Sequence, residues 1–149
     1  MYIESLRSLP QRRERSHMLK IIGALIAGLI VGMAANMILV TLNLKLFPAS
    51  TPLNNPEAWN DYIVSLPDTA FIIPVLAHLS QAFFGAWVTA RLSPTQPFKF
   101  AMAIGVLSLL GGILNASSLP IPIWMWLEMP FYLILAGVAG KIELNRRGS

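Results

Sequence analysis

LKIIGALIAGLIVGMAANMILVTLNLKLF, residues 19–47, carries no ionisable side chain between Lys20 and Lys45. A helix rises about 1.5 Å per residue, so about 20 apolar residues cross a hydrocarbon core of about 30 Å. The run is too long for the core of a signal peptide. It also lacks a small-x-small cleavage site followed by polar sequence, and reads as an uncleaved signal anchor. Three further apolar runs reach spanning length, which places expected helices over about 19–47, 69–92, 98–119 and 121–140. The expected fold is all-α: one up-and-down bundle of four transmembrane helices at 19–141, with helices 1 and 2 and helices 3 and 4 as hairpins. Basic tails at 1–18 and 142–149 flank it.

Composition agrees. Of 149 residues, 55% are apolar and only 12% charged, too apolar a balance for a soluble domain. The net charge of +4 does not point to nucleic acid, because the cations stand at the ends of apolar runs rather than along one solvated face. Arg7, Arg12, Arg13, Arg15 and Lys20 precede the first run, Arg91 and Lys99 flank the second turn, and Lys141, Arg146 and Arg147 follow the last run. Only Lys45 falls on the other side. By the positive-inside rule both termini are cytoplasmic, and an inner (plasma) membrane protein is expected. No cysteine is present, which removes disulfides, thiolate metal sites and a cysteine nucleophile.

The long connection after the first span, residues 48–68, lies on the outer side in this topology. Asn55, Pro56 and Glu57 form a helix start: a cap, a proline at the first helical position and an acid in the first turn. Trp59, Tyr62, Ile63 and Leu66 recur at helical spacing, so a short amphipathic helix over about 56–66 is expected in the outer interface, stopped before Pro67. Its simplest role is an aromatic belt over the bundle; a moving lid is the alternative. The connection from Leu119 to Trp124 is short, so the helices it joins are expected to be antiparallel neighbours.

Ala24, Gly28, Gly32 and Asn36 follow one another at intervals of four, a small-residue stripe that suits close helix packing in lipid. Gly85, Gly111 and Gly112 are read as packing positions on the second and third spans. Lys20, Ala24, Gly32 and Asn36 also match Lys99, Ala103, Gly111 and Asn115 at one constant offset, a hint of duplicated hairpins.

The polar residues inside the spans are few and expensive. His78 and Gln81 share a face of the second span, Asn36 and Asn115 stand about 24 Å above Lys20 and Lys99, and Glu128 lies one turn before Tyr132 in the fourth. Hydrocarbon cannot solvate such groups, so they are expected to turn towards each other. The sequence thus predicts one polar cluster of Asn36, His78, Gln81, Asn115, Glu128 and Tyr132 in the outer half, with Glu128 and His78 as its central pair. It is either a ligand or ion site or a hydrogen-bond network that sets helix register. No catalytic constellation, phosphate loop or His-rich metal set is present, and no cofactor is implied. Two methionine pairs, Met33/Met37 and Met125/Met129, carry soft thioethers, but methionine is also ordinary core filler.

Residues 85–91 (GAWVTAR), the loop end from Tyr62 to Pro67, the turn Pro120-Ile121-Pro122-Ile123-Trp124 and the glycine-rich first span resemble a group of small bacterial four-span proteins without assigned activity. The resemblance covers most of 19–141 and implies a bacterial inner-membrane bundle, with no site residues. Three functions stay open: a non-enzymatic binding or accessory protein, a small oligomeric proton or cation transporter using Glu128 and His78, and a membrane-embedded enzyme acting on a lipid-soluble substrate. The partners implied are the lipid bilayer and a second copy or another membrane protein.

Overall fold

The computed structural model describes the backbone of residues 2–148 and the side chains of residues 14–148. Among them every regular element is helical: α1 (Tyr2–Leu46), α2 (Pro56–Ser65), α3 (Ile72–Leu92), α4 (Pro97–Ser118) and α5 (Met129–Gly148). Turns of 3-10 helix at Asp68–Phe71 and Ile123–Glu128 lead into α3 and α5. Four segments are long and apolar enough to cross a membrane: Glu14–Leu46, Asp68–Leu92, Pro97–Ser118 and Ile123–Gly148.

Proline marks the start of α2, α3, α4 and α5. Pro56, Pro74, Pro97 and Pro130 each fall in the first turn of α2, α3, α4 and α5, the one place where a missing N–H leaves no helix bond unmade. The fourth span therefore differs from the continuous α-helix expected over 121–140. Pro130 cannot donate to Trp126, so Ile123–Glu128 wind more tightly and α5 starts at Met129. The second span behaves alike, with 3-10 backbone where the α-helix was expected to start at 69. At the other ends the helices run further than apolarity required. α1 is already helical at Tyr2, within the segment read as a basic tail, although side chains before residue 14 lie outside the described residues. α5 continues to Gly148.

α3 is the centre of the bundle. α1 lies along one side of it, α4 and α5 lie along the other as a pair, and α1 barely meets α4. Small residues make the α1–α3 contact. A β-carbon on Gly28 would collide with the Thr89 hydroxyl and stand 2.5 Å from the Gly85 carbonyl oxygen, while Thr89 Oγ1 donates to the Ala24 carbonyl at 3.2 Å. One on Gly32 would stand 2.6 Å from the Gln81 carbonyl oxygen. The buried stripe of α1 is thus Ala24, Gly28, Gly32, Asn36 and Asn43, and large side chains such as Ile30 and Ile38 point outward. On the other side of α3, Ala86, Ala90, Ala101, Ile104, Ala136 and Ala139 form a core of mostly small side chains, closed by Gly105 against Ala136 and Gly140 against Phe98.

α2 covers the opposite end. The Asn55 side chain caps it, accepting from the Ala58 N–H at 2.8 Å, and Tyr62 and Ile63 pack with Phe71 and Met125. The Tyr62 hydroxyl donates to the Phe47 carbonyl at 2.6 Å, which ties α2 to the end of α1; burial pushes the Tyr62 phenol above its ordinary pKa, so it stays a donor.

Candidate functional site at the α2 end of the bundle

Beneath α2, where α1 and α4 part, a cavity of about 250 Å³ is lined by Asn36, His78, Gln81, Ser108, Gly111, Gly112, Asn115 and Tyr132. Geometry accounts for the gap: α1 is held tightly to α3 by the glycines and meets α4 only slightly among the described residues. All six polar side chains expected to cluster are here, five in the lining and Glu128 immediately behind it. Asn36 is buried, and Gln81 and Asn115 are half-buried. The amides of Asn36, Gln81 and Asn115 hydrogen-bond to no other described residue, so their donors and acceptors are available to the cavity.

Glu128 anchors the cavity wall. Its Oε1 stands 2.9 Å from His78 Nδ1 and accepts from the Tyr132 hydroxyl at 3.0 Å. The glutamate side chain is 3% exposed and the histidine 20%, so the pair lies at the boundary between the cavity and the packed interior. Glu128 reaches this point from the last residue of a 3-10 turn, and Tyr132 follows one turn later in α5. The second carboxylate oxygen, Oε2, is buried and takes no hydrogen bond among the described residues. On its other side Glu128 joins Val75, Leu79, Trp124, Met125, Leu127 and Phe131 in the wall of an apolar slot of about 160 Å³.

Of the two adjacent glycines of α4 expected to pack, only Gly112 does so, with Tyr132 filling the space its missing β-carbon leaves. Gly111 does not: a β-carbon there would meet nothing within 4 Å, and the residue is cavity wall. Its counterpart at constant offset, Gly32, is buried against α3, so the paired positions do different work. Met33 and Met37 are exposed on α1, outside the lining, and among the described residues no three His, Cys, Asp or Glu side chains gather as a metal set.

Ser108 was missed, although 108, 111, 112 and 115 carry the same-face spacing of a helix. So was a second buried acid. Glu143 is fully buried at the far end of α5, where Arg146 and Arg147 donate to it and Arg91 lies 3.5 Å away. The other arm of Arg147 donates to the carbonyls of Ala90, at 2.7 Å, and Ser93, at 2.8 Å, sealing the end of α3. The signal for it was the buried stripe Tyr132, Ala136, Ala139, Gly140, which reaches Glu143 at the next helical step.

Towards the other end the helices pack closely: a β-carbon on Gly28, Gly85, Gly105 or Gly140 would meet atoms of a neighbouring helix at 3.1 Å or less. No protein-family model, curated protein or solved structure matches the chain.

Proposed function

We propose that this is a multi-pass protein of a bacterial inner membrane, with both termini cytoplasmic, that binds a small polar group in the outer half of the bundle beneath α2. The observation that carries the reading is the cavity with three amides, a serine and an imidazole in its lining, of which the amides take no hydrogen bond among the described residues. Unused amides are costly in a membrane interior unless water or a ligand satisfies them. The charge distribution supports the orientation, since ten of the eleven cations fall on the side opposite α2. In that frame α2 lies across the outer interface, with Trp59 at headgroup level.

The close helix contacts at Gly28, Gly85, Gly105 and Gly140 weigh against transport through a single copy. Gly28 and Gly32 are spent on α3, which weighs against that stripe as the surface for a partner helix. The enzyme reading keeps one specific support, the apolar slot beside Glu128.

The absence of native cysteine makes the test direct. Single Ser108→Cys and Gly111→Cys variants are expected to react with a membrane-impermeant maleimide added from outside, and Ala90→Cys, fully buried in the packed core, is not. Native mass spectrometry from mild detergent is then expected to show bound species on the parent protein that Asn36→Leu/Asn115→Leu loses. A folded double variant with the same adducts as the parent would count against the cavity as a binding site.

A further inference from the structure

The polar cavity does not account for the second oxygen of Glu128. Oε1 serves both His78 and Tyr132, which belong to the cavity lining, while Glu128 itself belongs to the wall of the slot. The carboxylate is thus a partition with one oxygen engaged and one buried without a partner among the described residues. Apart from it, aliphatic side chains, two aromatic rings and the Met125 thioether make up the slot wall.

Water answers this need poorly. An ordered water needs two to four polar partners, and this wall supplies essentially one. A molecule that brings a single hydrogen-bond donor on an alkyl chain meets both demands, since its donor satisfies the carboxylate and its chain fills the hydrocarbon-lined space. The rim favours arrival from the bilayer: Leu127 is 72% exposed and Phe131 47%, both on the outward surface of the bundle.

We infer that the apolar slot between α3 and the Ile123–Glu128 turn binds the alkyl chain of an amphiphile whose hydroxyl or primary amine donates to Glu128. This rests on the binding reading above and names the ligand class, an amphiphile with a donor head, with the polar cavity behind Glu128 receiving any further polar substituents of that head. Alcohol and amine heads share the chemistry, and the test separates them.

Trp124 in the slot wall provides the readout. The full-length protein in one detergent is titrated with 6-bromohexan-1-ol, 6-bromohexan-1-amine and 1-bromohexane, whose bromine quenches indole fluorescence on contact. A saturable component is expected for the alcohol, the amine or both, at least tenfold tighter than for 1-bromohexane. It should vanish in Trp124→Phe and weaken at least tenfold in Val75→Phe, which fills the slot and leaves Glu128 in place. Glu128→Leu should remove the advantage of the donor-bearing probes; Val75→Phe carries the test should that variant fail to fold. Equal quenching by all three probes, or saturable quenching unchanged in Val75→Phe, would overturn the inference. The cavity reading fails separately: adducts unaffected by Asn36→Leu/Asn115→Leu, alongside intact slot quenching, would remove that reading and leave the slot standing.

Discussion

Tyr132 occupies the space that glycine leaves open at position 112: a β-carbon on Gly112 would stand 2.7 Å from the Tyr132 hydroxyl oxygen and 2.9 Å from the ring edge. That hydroxyl is the one that donates to Glu128. A residue without a side chain on α4 therefore controls the hydrogen bonding of a carboxylate in the adjoining turn.

Gly112→Ala is accordingly expected to displace the ring, at a cost of about 1–3 kcal/mol from overpacking. This exceeds the gain of up to about 1 kcal/mol that alanine brings to a helix interior. Gly111→Ala, which meets nothing within 4 Å, should be neutral or stabilising. Thermal unfolding of both variants in one detergent checks the contrast; equal shifts would show that the ring is not held in place.

The α1–α3 contact offers a second comparison. A β-carbon on Gly28 meets the Gly85 backbone at 2.5 Å as well as the Thr89 hydroxyl, and backbone cannot rotate away. Gly28→Ala should separate the helices and lower stability by about 1–3 kcal/mol or more. Gly23→Ala, on the same helix with open space around it, should not. Protease resistance of the detergent-solubilised protein, scored beside the melting curves, distinguishes a detached α1 from general softening.

His78 and Glu128 should couple. Replacing His78 by Leu leaves Oε1 with Tyr132 alone, and replacing Glu128 by Leu strands the imidazole, so each single change is expected to cost about 1–3 kcal/mol. The double variant should cost less than the sum, by a coupling of about 0.5–3 kcal/mol. Strict additivity in the double-mutant cycle would mean that the 2.9 Å contact contributes nothing.

At the arginine end, Glu143→Ala would leave Arg91, Arg146 and Arg147 together without their acid. Guanidinium groups rather than deep core cover Glu143, so the expected loss is about 1–3 kcal/mol, the cost of stranding hydrogen-bonding groups. Arg147→Lys should not restore the parent stability. An ammonium cannot reach Glu143 with one arm while another arm serves the Ala90 and Ser93 carbonyls. A lysine variant that melts like the parent would show that the fork is dispensable.

Much of this was legible in residue order. Apolar runs between cations marked four segments long and apolar enough to cross a membrane, the interval of four from Ala24 to Asn36 marked the buried stripe of α1, and Asn55-Pro56-Glu57 marked the start of α2. The convergence of His78, Glu128 and Tyr132 followed from the cost of polar groups in hydrocarbon. Glu143 escaped because charge near a span end reads as topology until packing shows what covers it. The tight turn before α5 escaped as well. Apolarity measures span length, whereas the turn depends on Pro130 withholding one hydrogen bond.

Solvation preference is a property each side chain carries wherever the chain puts it, which is why span positions and the set of residues needing partners could be read from order alone. Distances between helices are not of that kind. Glycine and threonine at 28, 85 and 89 draw α1 onto α3, and the resulting gap from α4 opens a cavity that no local pattern encodes. The division of Glu128 between an engaged and an unpartnered oxygen arises the same way. It depends on where three separate segments stop against one another, and steric contact between them sets that position to within a fraction of an ångström.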